Sequence, residues 1–165
     1  MSEKKKYIFD ANCFIEPWNK FYSYTFFKPY WEEAIKGFCD GGSILIQREI
    51  YDEIFKKDDK LSRWLKQCNF SIIETDIDTT REAAQINEEF QGLIKESNGR
   101  SLADPFVIAI AKKEKATVVT MEDDGSESKP KIPYVCHKLG VRCINLFSFI
   151  NENGIKFGMD RTNST

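Results

Sequence analysis

Five short apolar runs alternate with segments of helical period, and this alternation limits the architecture more than any other feature of the chain. The runs lie at 6–10, 43–46, 70–73, 117–120 and 141–144. Each is too short for a helix and rich in Ile, Val, Phe or Thr, as expected of buried strands. Between them, Ile50/Ile54 and Tyr51/Phe55 recur at i,i+4 over 48–57, and Ala83, Ile86, Phe90, Leu93 and Ile94 recur at helical spacing over 79–95. Strands alternating with helices predict a parallel sheet covered on both faces. The expected fold class is α/β: a three-layer α/β/α sandwich around a central, mostly parallel five-stranded sheet.

Other helices are expected over 32–38, around Leu61, Trp64 and Leu65, over 132–139 and over 146–151. Asp40-Gly41-Gly42 stops the first of these, Ser97-Asn98-Gly99 stops the 79–95 helix and Gly140 closes the helix over 132–139. Pro105 suits the first turn of a further helix, with Asp104 as its N-cap. That helix is apolar on most sides from Phe106 to Ala111, so deep burial is expected. With 165 residues the chain makes one domain, with a core over about 6–150 and a polar tail from Gly154. Residues 17–33 carry Trp18, Phe21, Tyr22, Tyr24, Phe26, Phe27, Tyr30 and Trp31. Core or interface is the expected role of this aromatic run, in preference to stacking on bases.

The net charge of −2 excludes a broad basic coat for duplex DNA. No apolar stretch is long enough to span a bilayer, and no apolar leader precedes the first strand, so a cytoplasmic protein without a membrane partner is expected. The five cysteines are irregularly spaced and odd in number, which suits small buried hydrophobes in a reducing compartment. Cys136, His137 and Cys143 lack an accompanying CxxC pair, so zinc is not expected. A single histidine excludes a histidine-rich metal site.

Four carboxylates stand where apolar runs meet turns: Asp10, Glu53, Asp104 and Glu122. A carboxylate beside a buried strand costs desolvation unless something compensates it, and a divalent metal ion is one such compensation. In open parallel sheets, sites lie beyond the carboxyl ends of the strands. Asp10 ends the first strand and Glu122 follows the fourth. Asp104 begins the helix that leads into the fourth strand, at the same edge. Glu53 lies about one helical turn, roughly 6 Å, past the start of the helix after strand two. All four can therefore converge on one edge. Glu49 and Asp52 compete with Glu53, and Asp123 competes with Glu122. Thr120 is either an ordinary strand residue or a hydroxyl donor to Asp10. Arg48 is the best single phosphate-binding candidate. The face of Lys56, Lys60 and Arg63 is expected to be solvated, in preference to serving as a track for RNA.

The order Ile8-Phe9-Asp10-Ala11-Asn12, Ile46-Gln47-Arg48-Glu49-Ile50-Tyr51-Asp52-Glu53-Ile54, Ala103-Asp104-Pro105-Phe106 through Ala111, and Ala116-Thr117-Val118-Val119-Thr120-Met121-Glu122 resembles the PIN domain family. These are PilT N-terminus-like ribonucleases and VapC-type toxins. The likeness spans about 6–150, with an insertion after Asn12 and a 131–136 segment that look like a less characterised branch. It implies a metal-dependent endoribonuclease that leaves a 5′-phosphate and a 3′-hydroxyl. Asp10, Glu53, Asp104 and Glu122 would be catalytic and, with Asp123, would hold Mg²⁺ or Mn²⁺. Asn12, Arg48 and Thr120 would bind substrate. It further implies single-stranded or structured RNA as substrate, an antitoxin protein as partner, and compatibility with a homodimer. Two positions depart from the family pattern: Glu122 stands where Asp is usual, and Asn12 where Ser or Thr is common. Two other readings stay open. One is a non-catalytic PIN-like module that binds RNA or protein. The other is a phosphohydrolase with Asp10 as aspartyl-phosphate nucleophile, which Asn12 disfavours because such enzymes need an acid there.

Overall fold

A computed structural model describes residues 4–94 and 102–156. Its sheet consists of β1 (Tyr7–Phe9), β2 (Ile44–Gln47), β3 (Ser71–Ile73), β4 (Thr117–Val119) and β5 (Cys143–Ile144). The order across the sheet is β3-β2-β1-β4-β5 and every pairing is parallel. The chain therefore builds outward from β1 on one side, then crosses to the other side for β4 and β5. The reversal falls between β1 and β4, where side chains at the two carboxyl ends face a common crevice.

The helices are α1 (Asn12–Glu16), α2 (Lys36–Asp40), α3 (Arg48–Phe55), α4 (Lys60–Leu65), α5 (Ile77–Glu89), α6 (Asp104–Glu114), α7 (Ile132–Lys138) and α8 (Leu146–Glu152). They cover both faces. Tyr7 and Phe9 point to one face and meet Phe149 of α8 edge-on, with ring centroids 4.8 and 5.0 Å apart. α6 packs against β1, β2 and β4 and against α5. Its Val107, Ile108, Ala109, Ile110 and Ala111 are all buried, as the all-round apolar pattern requires. The three-layer α/β/α arrangement expected from the sequence is present, with a sheet that is parallel throughout.

Some local expectations are corrected. The helix expected over 32–38 begins earlier, as a π-helical segment Tyr30–Ile35 that runs into α2. A second π-helical segment, Pro17–Phe21, continues α1. The Tyr22 N–H donates to the Pro17 carbonyl, an i→i+5 bond of 2.7 Å. A wider turn of this kind does not follow the 3.6-residue period from which helices are read. Asp104 is the first residue of α6, and Ala103 occupies the cap position without a side-chain bond. α5 ends at Glu89, before the 97–99 stop expected for it, which lies outside the described residues. The aromatic run does pack as core in part: Tyr30 and Trp31 are fully buried, while Phe26 is 81% exposed. Among the described residues, no helix is long and apolar enough to cross a membrane.

Candidate active site

β1 runs straight into the site. Its last residue, Phe9, is followed by Asp10, whose backbone N–H still continues the sheet by donating to the Val119 carbonyl of β4 at 3.0 Å. The Asp10 side chain is thereby fixed at the β1/β4 switch point, 7% exposed. Its Oδ1 accepts the Ala11 N–H at 2.7 Å and its Oδ2 accepts the Thr120 hydroxyl at 3.1 Å. Thr120 is thus a hydroxyl donor to Asp10, the alternative that the sequence left undecided. Asn12 fastens the start of α1 to the end of β4. Its Oδ1 accepts the Met121 N–H at 3.0 Å and its Nδ2 reaches Thr120 Oγ1 at 3.4 Å. Asn12 lies on the wall of the acidic cavity and is held by protein partners.

Glu122 follows β4 after two residues. Its N–H donates to Thr120 Oγ1 at 3.2 Å, and its Oε2 accepts the Ile132 N–H at the first turn of α7, 3.1 Å away. Pro133 next to Ile132 suits that turn, because its missing N–H would have had no helical partner. Glu122 therefore points inward, under partial burial. Asp123 is 92% exposed at its side chain and pairs with Lys131 at 2.9 Å. That ion pair holds the Asp123 carboxyl below the usual range and lifts the Lys131 ammonium.

A cavity of about 460 Å³ opens at this edge. Asp10, Glu53, Asp104, Glu122 and Asp123 all line it, with Asn12, Phe21, Met121 and Lys131. The acids that the sequence placed at one sheet edge thus share one wall. They do not form a closed cage: among the described residues, no three His, Cys, Asp or Glu side chains stand close enough to hold a metal ion as they are. Clustered carboxylates repel one another when no cation stands between them. Asp10 and Glu122 also have oxygens turned toward protein donors.

The Asp10 carboxyl is pushed up to about 7. Burial is the largest cause, and the neighbouring charges of Glu122 and Glu53 add to it, against the lowering bonds from Thr120 and Ala11. Near neutral pH this site is short of positive charge. Its donors are all carboxylate oxygens, the kind that Mg²⁺ and Mn²⁺ take. In donor chemistry the residues fit such an ion, and side-chain movements would be needed to close on it.

Arg48 is not brought to the cavity. The parallel register Gln47↔Ile73 sets Arg48 beside Glu74, and the guanidinium donates to Glu74 through Nη2 at 2.6 Å and Nε at 2.9 Å. The residue expected to contact phosphate at this edge is thus paired with Glu74 and is not among those that line the cavity. Among the described residues, the cation that does line the cavity is Lys131, which sequence reasoning did not single out. The 123–131 loop folds back through a Ser126↔Lys129 bridge to deliver it. Phe21, 46% exposed and edge-on to Phe147, is a second wall residue, drawn from the aromatic run for which core or interface was expected.

Residues 7–157 match the family model described as "Domain of unknown function (DUF4411)". No curated protein gives a significant match. Among solved structures, the chain is similar to one in the crystal structure of VapBC2 from Rickettsia felis bound to a DNA fragment from its promoter. That likeness has TM-score 0.51 and 14% identity, and covers 84% of this chain and 97% of that one. It is also similar to one in the crystal structure of DNA-bound VapBC from Salmonella typhimurium, at TM-score 0.52 and 17% identity, over 86% of this chain and 98% of that one. At such identities the likeness speaks for the fold. With a family match over nearly its whole length, the chain belongs to the DUF4411 family, and its all-parallel sheet between helical layers is a PIN-like fold.

Proposed function

We propose that this protein is a metal-dependent endoribonuclease acting on single-stranded or structured RNA. One observation carries the reading: Asp10, Glu53, Asp104 and Glu122, drawn from four separate segments, line a single open cavity at the topological switch point. Those four would hold Mg²⁺ or Mn²⁺. Asp123, committed to Lys131, is the less suited ligand. A bound ion of this kind activates water and stabilises charge on a scissile phosphate.

The chain's own residues have definable tasks around it. Thr120 and the Ala11 N–H fix the Asp10 carboxylate in one orientation. Asn12 keeps β1 and β4 in register at the crevice. Lys131 supplies an ammonium that can exchange Asp123 for a phosphate oxygen. Phe21 offers an apolar wall where a base can rest.

The solved neighbours are VapBC complexes, which supports an antitoxin-like protein partner and a toxin role for this chain. A non-catalytic module is the second reading, and the open spacing of the acids favours it. Incubation of the purified protein with labelled single-stranded RNA separates the two. Cleavage is expected with Mn²⁺ or Mg²⁺ and not with chelator. Asp104→Asn is expected to lower the rate about 100-fold or more, the scale of losing one electrostatic contributor to a transition state. Binding without cleavage in either metal would favour the non-catalytic module.

A further inference from the structure

The groove does not end at the acids. A second cavity of about 330 Å³ begins where the first stops, and Ile15 and Glu53 line both. Its other walls include Trp18, Asn19, Lys57 and Lys60. We propose that this cavity is the subsite for the nucleotide next to the cleaved bond, with its base against Trp18 and its backbone phosphate between Lys57 and Lys60. The proposal rests on the nuclease reading for the cleaved bond, but not for the binding itself.

Three features point to a nucleic-acid strand. First, the Trp18 ring is fixed before any ligand arrives. It stacks on Tyr24 at 5.3 Å and 30°, and Trp31 and Trp64 hold it at 4.9 and 5.9 Å. A base that settles on a fixed ring loses little to ordering the protein, and stacking of this kind tolerates any base. Asn19, exposed beside it, presents an amide that can both donate to and accept from a base edge.

Second, Lys57 and Lys60 are exposed, and neither makes an ion pair with a described residue. Three other cations are committed: Arg48 to Glu74, Arg63 to Asp58 and Lys131 to Asp123. Asp59, the other acid at this cavity, is occupied as the N-cap of α4. Its Oδ1 accepts the Ser62 N–H at 2.8 Å, and the Ser62 hydroxyl completes a capping box. Third, the two cavities share Glu53, so a strand lying in one would pass directly to the acidic edge. Of the basic face expected to be solvated, Lys60 is thus drawn into a groove, with Lys57 as its neighbour in place of Lys56.

The test is equilibrium binding of a fluorescein-labelled ten-nucleotide oligouridylate, read by anisotropy across a salt series. Asp10→Asn protein in Mg²⁺ serves as the non-cutting background. Adding K57E and K60E together is expected to weaken binding about tenfold or more. It is also expected to reduce the slope of log affinity against log salt by about 0.7, one single-strand phosphate contact. Trp18→Leu is expected to weaken binding about 5- to 100-fold with the salt slope unchanged. The two lysines are exposed, so their reversal reports on the groove even if Trp18→Leu folds poorly. Unchanged affinity and slope in the K57E/K60E protein overturn the subsite, and wild-type cleavage then leaves the nuclease reading standing. Weakened binding in a protein that cleaves nothing supports the subsite and removes only the hydrolytic reading.

Discussion

Asp10→Asn is expected to raise the melting temperature of the chelator-treated protein at pH 8 by roughly 3–10 °C, the opposite of what most buried substitutions do. The reason lies in the charge. Asp10 is 7% exposed and its carboxyl is pushed up to about 7 by burial, Glu122 and Glu53. An acid with a raised folded-state pKa contributes its full stability below the unfolded value, near 3.8. That contribution is lost as pH rises from there through about 7. At pH 8 the wild type therefore carries the whole penalty of a buried, crowded carboxylate. The shift corresponds to roughly 4 kcal/mol at most.

Asparagine removes that charge and keeps an oxygen for the Ala11 N–H. Its amide is mismatched to the Thr120 hydroxyl, at a cost of about 1 kcal/mol. A net gain of roughly 1–3 kcal/mol remains. The gain is expected to grow between pH 4 and 7 and to vanish below pH 4. Thermal denaturation across that range with chelator measures it. Mn²⁺ is expected to stabilise the wild type and to leave Asp10→Asn largely unmoved, since an ion that binds only the folded state stabilises it by mass action. An Asp10→Asn protein that melts lower at pH 8 and equally at pH 4 would show that the hydrogen bonds to Asp10 outweigh its charge.

The second large effect belongs to the aromatic insertion. Trp31→Ala is expected to cost about 3–5 kcal/mol, the range for truncating a buried aromatic. Trp31 is wholly buried, its Nε1–H donates to the Tyr22 carbonyl at 2.5 Å, and its ring meets Trp18, Tyr30 and Trp64 at 4.9, 4.9 and 5.3 Å. The melting temperature should fall by roughly 6–20 °C for a domain of this size. Phe26→Ala, at a ring 81% exposed, should leave it within about a degree, as expected for a surface change. A Trp31→Ala protein of normal stability but weakened RNA binding would mean that this ring serves substrate and not core.

The sheet was legible because its strands are short apolar runs bounded by polar turns. Tyr7–Phe9, Ile44–Gln47, Ser71–Ile73, Thr117–Val119 and Cys143–Ile144 each fall within a residue or two of the expected runs. Asp10 and Glu122 were legible for the same reason, since each follows such a run. Their shared cavity also follows from chain direction, which sets every strand's carboxyl end and the start of α6 at one edge. What was illegible depends on contacts between distant segments. The partner of Arg48 is chosen by the β2/β3 register, and Lys131 arrives by a loop turn that no periodicity marks. The proposed preference for Glu122 over Asp123 as a ligand also lay beyond the sequence. It rests on the Ile132 N–H, which draws Glu122 inward, and on Lys131, which holds Asp123 at the rim.

The most direct test of a cation-dependent nuclease centre on these acids sets wild type beside Asp10→Asn, with the same labelled single-stranded RNA and Mn²⁺. Wild type is expected to cut and leave 5′-phosphate ends. Asp10→Asn, folded and at least as heat-stable without metal, is expected to be slower by about 100-fold or more. Cleavage by Asp10→Asn at the wild-type rate would contradict the account, because the most buried acid of the cavity would then have no part in the chemistry.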